Sequence, residues 1–357
     1  MVPQGRRRRH RPRDRRRRAA RGAGRRRARG LRRRRGARAG APRVSTLAAR
    51  YRALVCDLDG VVYRGPSAVP HAVEALSALD RPVVYATNNA SRRPADVAQH
   101  LTDLGLECAP EDVVTSSQAA AWLLGEAGTE PWARVLAVGG AGVADALGEA
   151  GFMAVRRVGE GEGAVAAVVQ GYGLDVTAAD LAEAAYAVED GARWVATNTD
   201  ATLPTDRGVA PGNGSLVGAV ARAVGHEPDD VAGKPRPPLY LLAARRLGLE
   251  APQVLAVGDR LDTDIEGAVS AGAESLLVLT GVDDLDAVLA APASRRPTWV
   301  APDLRWLHDA PEDGEISLDA LADAVRAVHE AHDAGDAVRA EGLADVARHL
   351  LERMADR

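Results

Sequence analysis

Lysine is nearly missing from this sequence. Lys234 is the only one, so 45 of the 46 Lys and Arg residues are arginine. Cysteine is scarce too: Cys56 and Cys108 alone exclude a disulfide scaffold and fit a reducing compartment. Aromatic residues make up 3%, too few for a platform on which single-stranded nucleic acid could stack. No apolar run approaches the roughly 18 residues of a membrane span, and no signal-peptide pattern precedes the first strand pattern. The expectation is a cytoplasmic protein with no membrane partner.

The formal net charge of -3 conceals a segregation. Residues 1–43 hold 21 Arg and one acid, Asp14; taken from totals of 46 basic and 49 acidic residues, that leaves 25 and 48 in residues 44–357, a net of -23. The chain therefore reads as an acidic globular body, long enough for two domains, with a basic arm. The arm has no hydrophobic periodicity and is expected to be disordered. It reads either as a grip on nucleic-acid phosphates or as GC-rich upstream DNA translated ahead of the true start. Val44, which GTG can encode, favours the second, so nucleic acid is not an expected partner except through this arm.

From Tyr51 onward, short β-branched runs alternate with amphipathic stretches. "RALVCDL", "RPVVYAT", "RVLAVGG", "AVAAVVQG", "RWVATN", "QVLAVGD" and "SLLVLTG" read as strands. Helical patterns lie between them at 70–79, 93–104, 178–189, 216–224 and 238–247, and two more follow at 318–332 and 337–354. Such alternation implies a parallel sheet covered on both faces, with ligands at the carboxyl ends of its strands.

Four strand ends carry chemistry. In "VCDLDGV", Asp57 and Asp59 are two residues apart in extended backbone, so both carboxylates face one side and repel unless a cation lies between them. In "ATNNAS", Thr87, Asn88 and Asn89 offer a hydroxyl, amides and backbone N–H groups suited to an oxyanion, though Thr-Asn-Asn is also ordinary turn chemistry. In "GKP", Lys234 supplies a compact point charge where the rest of the chain uses the guanidinium fork. In "VGDRLDTDIEG", Asp259, Asp262 and Asp264 crowd the start of a helix. Oxygen donors without a His/Cys cluster favour Mg²⁺ over zinc.

In this order, "DLDGV", "TNN", "GKP" and "GDRLDTDI" resemble the four motifs of the haloacid dehalogenase (HAD) superfamily of phosphohydrolases, over roughly residues 50–300. The long insert between Thr87 and Lys234 is similar to the cap of the 4-nitrophenylphosphatase, phosphoglycolate phosphatase and glycerol 3-phosphate phosphatase branch. The resemblance implies an α/β fold: a Rossmann-like parallel-sheet core over residues 44–130 and 215–300 and an inserted α/β cap over 131–214; the arm and the helical tail over 301–357 lie outside its pattern. It implies that Asp57 attacks phosphorus, that Asp59 protonates the leaving alcohol and activates water, and that Thr87, Asn88, Asn89 and Lys234 bind the phosphoryl oxygens. Mg²⁺ would be held by Asp57, Asp259 and the carbonyl of Asp59, with Asp264 orienting the metal site or Lys234 from behind.

The implied activity is Mg²⁺-dependent hydrolysis of a small phosphate ester through an aspartyl-phosphate. Glycerol 3-phosphate is the first expectation; phosphoglycolate, pyridoxal phosphate and nucleoside monophosphates are the competitors. Arg207 and His226 are candidate substrate contacts, though either could equally be a surface residue, and a homodimer through the cap is a family-level expectation. A rival reading makes the chain a nucleic-acid-associated protein using the arm. "LAVGGAGVADALG" reads as a tight turn rather than a dinucleotide loop, because its spacing is imperfect.

Overall fold

The computed structural model describes residues 46–205, 207–308 and 316–357, so the Arg-rich arm lies outside the described residues. β1 (Ala53–Cys56) comes first, and all four of its residues are buried, as a strand covered on both faces requires. A small hairpin, β2 (Tyr63–Arg64) and β3 (Ser67–Ala68), follows. Then come α1 (Ala72–Ser77), β4 (Val83–Thr87), α2 (Pro94–Asp103), β5 (Val113–Thr115) and α3 (Ser116–Glu126). A second alternation runs through β6 (Arg134–Val138), α4 (Ala141–Glu149), β7 (Met153–Val155), β8 (Ala167–Gln170), α5 (Ala178–Glu189) and β9 (Arg193–Ala196). It closes with the hairpin β10 (Thr202–Thr205) and β11 (Gly208–Pro211), then α6 (Asn213–Val224) and β12 (Asp230–Val231). The chain returns through α7 (Pro238–Arg246), β13 (Val254–Gly258), α8 (Glu266–Ala271), β14 (Glu274–Val278), α9 (Leu285–Leu289) and β15 (Trp299–Ala301). It ends in α10 (Leu318–Asp333) and α11 (Ala337–Ala355).

Two parallel sheets result. The first has the order β15-β14-β13-β1-β4-β5 and the second the order β12-β9-β8-β6-β7. At β1 the first sheet changes direction: β4 and β5 lie to one side, β13 to β15 to the other. A crevice opens at the carboxyl end of a strand at such a switch point, and here that strand runs straight into Asp57 and Asp59.

The expected insert limit at residue 214 needs correction. Residue 214 lies inside α6, and beyond it β12 pairs in parallel with β9, so the second sheet's segment runs to Val231. A parallel strand needs a crossover, and α6 is that crossover. The Gly-rich "PGNGS" caps this helix and does not link two domains.

The helical tail packs on the first sheet. Leu318, Leu321, Ala322, Val325 and Val328 are buried in the same apolar cluster as Trp299 and Val300, so α10 covers the edge strand β15. Ala340, Ala344 and Ala347 join that cluster from α11, their small side chains letting the two helices approach closely. Ser317 and Asp336 cap the two helices, accepting from the backbone N–H of Ala320 at 3.1 Å and Arg339 at 3.0 Å. Arg50 ties the tail to the start of β1 with two hydrogen bonds to Asp319, 2.9 and 2.7 Å long, while its guanidinium lies 4.8 Å from the Trp299 ring centre.

Candidate active site

The carboxyl ends of β1, β4 and β13 bring Asp57, Thr87 and Asp259 to one crevice, and the segment after β12 delivers Lys234 into it. Lys234 is 3% exposed, and its ammonium donates to Asp57, to Asp264 Oδ1 at 2.6 Å and to the Ala86 carbonyl at 3.4 Å. Burial works against that charge, but Asp264 and Asp57 outweigh it and the pKa of Lys234 is raised. Asp57 is squeezed in the opposite sense: burial pushes its pKa well up, Lys234 pulls it down, and Asp264 and Asp259 push it up again.

Asp264 accepts three hydrogen bonds. Its Oδ1 takes the ammonium, while its Oδ2 accepts the backbone N–H groups of Asp259 at 3.3 Å and Arg260 at 3.1 Å. The turn that presents it, Leu261–Ile265, is a single π-helical turn, and the hydroxyl of Tyr240 donates to the Asp264 carbonyl at 3.1 Å. Asp262, the middle acid of this cluster, points outward and pairs with Arg260.

Asp259 is 2% exposed, yet its hydrogen bond is to the backbone N–H of Val282, at 2.9 Å. Burial, reinforced by Asp264, pushes its pKa to about 7. Gly60 and Gly281 press against it, and a Cβ at either would overlap its carboxylate. Among the described residues, carboxylate oxygens of Asp57, Asp259 and Asp264 lie within 4.8 Å of one another. Asp264 already accepts three hydrogen bonds whereas Asp57 and Asp259 each accept one, so those two have the greater capacity for a cation. Their oxygen-only chemistry and the room left by the two glycines fit a small hard ion.

Asp59 opens to solvent, but its surroundings still desolvate it and raise its pKa, against the pull of Lys234, Arg92 and His100. A carboxyl held this way retains a proton more readily than a free aspartate. Thr87 is 4% exposed, and its hydroxyl oxygen accepts the Asn89 N–H at 3.0 Å, which leaves its own proton to give.

Two expected phosphate contacts have other work. The Asn88 side chain pairs with the backbone of Lys234 in both directions, donating to its carbonyl at 2.9 Å and accepting its N–H at 2.8 Å. Asn89 Oδ1 accepts from Ser91 N at 3.0 Å and Ser91 Oγ at 2.9 Å, closing a turn, and the residue is exposed. His226 is also elsewhere: it lies edge-on to Trp194, near the amino end of β9 and so away from the crevice. Arg207 stands exposed at the turn between β10 and β11. The turn "GGAG" packs against the loop after β4, since a Cβ on Gly142 would come within 2.6 Å of the Ala90 and Arg92 carbonyl oxygens.

The arrangement has counterparts. The model of the haloacid dehalogenase-like hydrolases matches residues 54–153, and a related HAD-hydrolase-like model matches residues 231–307. D-glycerol 3-phosphate phosphatase of Mycobacterium tuberculosis is 49% identical over 267 residues, which is 74% of this chain and 73% of that protein. The chain belongs to the haloacid dehalogenase-like hydrolases.

Other members of the family align as well. An acid sugar phosphatase of Staphylococcus aureus is 36% identical over 242 residues, 67% of this chain and 90% of its own length. The crystal structure of the M. tuberculosis glycerol phosphate phosphatase in complex with magnesium superposes with a TM-score of 0.70 at 46% identity, covering 76% of this chain and 82% of that one. The 4-nitrophenylphosphatase of Thermotoga maritima gives 0.66 at 27% identity, covering 74% and 98%. The first match runs through β6 and α4 to the first residue of β7, and the second resumes at Val231, so most of the second sheet's segment lies between them.

The sequence reading assigned no role to Tyr240, Gly60, Gly281 or Asp200. "ATNTD" follows β9 much as "ATNN" follows β4, and that repetition was the available signal for Asp200.

Proposed function

We propose that this chain is a Mg²⁺-dependent phosphomonoesterase that hydrolyses glycerol 3-phosphate to glycerol and phosphate through an aspartyl-phosphate. The observation that carries the proposal is the buried ammonium of Lys234 held between Asp57 and Asp264, with Asp259 alongside. The substrate rests on the M. tuberculosis relative, a D-glycerol 3-phosphate phosphatase, and the ion on the solved structure of that relative's kind in complex with magnesium.

Asp57 attacks phosphorus, forming a new P–O bond as the ester P–O bond breaks. Asp59 gives its proton to the departing alkoxide, and its raised pKa suits it to carry one. Asp59 then takes a proton from water, whose oxygen attacks phosphorus and frees Asp57 and inorganic phosphate. Lys234 and the Thr87 hydroxyl bind phosphoryl oxygens; Asn88 contributes through its backbone N–H, and Asn89, whose N–H is given to Thr87 Oγ1, contributes by shaping the loop. Asp57 and Asp259, with the Asp59 carbonyl, would hold the ion, which supplies charge shielding between the carboxylate and the phosphate. Asp264 positions Lys234 and the turn behind Asp259.

The second sheet, Arg134–Val231, serves as the cap that contacts the leaving group. The chain acts in the cytoplasm, in keeping with the free thiols of Cys56 and Cys108, and pairs as a homodimer through the cap, which the molar mass in solution measured by light scattering tests. Phosphate release from glycerol 3-phosphate, phosphoglycolate, pyridoxal phosphate and UMP, each with Mg²⁺ or EDTA and beside Asp57→Asn, tests the reaction. Turnover of glycerol 3-phosphate that needs Mg²⁺ and is lost in the variant is the expected result; no turnover above the variant's background rejects the proposal.

A further inference from the structure

Asp200 comes from the second sheet yet reaches the first. It follows β9 in a loop that is tightly held: Asn213 donates to the Asn198 carbonyl at 2.7 Å, and the Gly214 N–H donates to the Asp200 carbonyl at 2.9 Å. The Asp200 N–H donates to Asn198 Oδ1 at 3.2 Å. Gly212 and Gly214 press on this loop so closely that a Cβ on either would overlap a carbonyl of Thr199 or Asp200. From this rigid mount the Asp200 carboxylate points across to the core, where Oδ2 accepts from Asn88 Nδ2 at 3.3 Å. Asn88 is the residue whose amide also grips the Lys234 backbone.

We propose that Asp200 is the residue that selects the leaving group, its carboxylate accepting the hydroxyls of an uncharged polyol and repelling a leaving group that bears a carboxylate. The inference rests on the phosphomonoesterase reading above. The charges around Asp200 are few. Arg260 is near enough to attract it, but the Arg260 guanidinium is committed to Asp262 through two hydrogen bonds of 3.0 Å each. Lys234 is committed to Asp57 and Asp264. Asp200, Arg260 and Asp262 together therefore leave one net negative charge beside Asn88. Burial raises the pKa of Asp200, with Asn88, Arg260 and Lys234 opposing and Asp262 adding to the rise. A second carboxylate brought there would meet a desolvated like charge, whereas hydroxyl donors would find acceptor sites that the single 3.3 Å bond from Asn88 leaves open.

The test compares kcat/KM of the full chain and its Asp200→Asn variant on glycerol 3-phosphate, phosphoglycolate and 4-nitrophenyl phosphate, whose leaving group has neither feature. The variant should lose about tenfold on glycerol 3-phosphate and gain a similar factor on phosphoglycolate, the size expected for a hydrogen bond to a charged group. Turnover of 4-nitrophenyl phosphate should stay within about twofold, which also shows that the variant folds. An equal change on all three esters would assign Asp200 to holding Asn88 and overturn the proposal; so would an unchanged ratio of the first two. A second measurement needs no variant: glycerol should inhibit the wild type at concentrations where glycolate does not, and the reverse order contradicts the proposal. Wild-type enzyme that turns over none of the three esters would refute the phosphomonoesterase reading itself, a distinct outcome.

Discussion

The Lys234 ammonium donates to Asp264 Oδ1 over 2.6 Å in a site where both side chains are 3% exposed. A charge pair this deep persists only when every partner is in place, because removing one member leaves the others buried and unpaired. The sequence retains one lysine where its other cations are arginines, and this geometry gives the reason. A compact ammonium can reach Asp57, Asp264 and the Ala86 carbonyl at once, in a space where a planar fork would collide.

Lys234→Met is expected to lower kcat by at least about 10²-fold, since it removes the fixed charge that faces the phosphoryl group. It should also destabilise the fold by roughly 3 kcal/mol at neutral pH, the cost of breaking a buried pair. Part of that loss should return on acidification. Burial already favours the protonated form of Asp57, and Lys234 is the group that opposes it. Urea titrations at two pH values, read beside initial rates, check both effects.

Asp264→Asn keeps the shape but weakens the hold on the ammonium and on the Asp259 and Arg260 N–H groups. The expected outcome is a rise of about 10- to 100-fold in the Mg²⁺ concentration needed for half-maximal rate, the range typical of groups that orient a metal's ligands. A Mg²⁺ titration of activity measures it.

Gly281→Ala should abolish Mg²⁺-dependent turnover while leaving the circular dichroism spectrum intact. The added methyl group would occupy the space of the Asp259 carboxylate. Gly248→Ala, at a position with open space but a φ of +67°, serves as a control that is strained without touching the site.

Much of the fold was legible because its strands are apolar β-branched runs that stop at Gly, Asp, Asn or Thr. "RALVCDL" became β1 ending before Asp57, and "QVLAVGD" became β13 ending before Asp259. The direction of the Asn88 carboxamide was not legible. Its partner, the Lys234 backbone, lies 146 residues away, and nothing local distinguishes an amide that faces a ligand from one that faces a distant turn. Asp200 escaped notice for the same reason, since its contact to Asn88 spans 112 residues. The role of His226 stayed open because a histidine after a helix carries no sign of which end of the sheet it will reach.

The tail is expected to act as a structural cover. Arg50→Ala removes both hydrogen bonds to Asp319 and the contact over Trp299, and should cost about 1 kcal/mol, a discounted figure because both side chains are partly exposed. Activity should change little. Urea denaturation followed by tryptophan fluorescence checks the first, and phosphate release the second.

His329, on the buried face of α10, hydrogen-bonds through Nε2 to the Val288 carbonyl at 2.8 Å. Burial depresses its folded pKa below the ordinary value of 6.5. The unfolded chain therefore binds a proton first. Stability from this residue is complete above about pH 6.5 and falls as the pH drops from there through the folded pKa. His329→Gln should flatten the stability profile between about pH 7 and 5 relative to wild type. Parallel profiles would contradict the assignment.

The most direct test of the account is acid quenching of the enzyme during turnover of ³²P-labelled glycerol 3-phosphate. Wild-type protein should carry label that is stable in acid and released by hydroxylamine, as an acyl phosphate on Asp57 requires, and Asp57→Asn should carry none. Steady turnover with no label on the protein at any quench time, or equal labelling of Asp57→Asn, would contradict it.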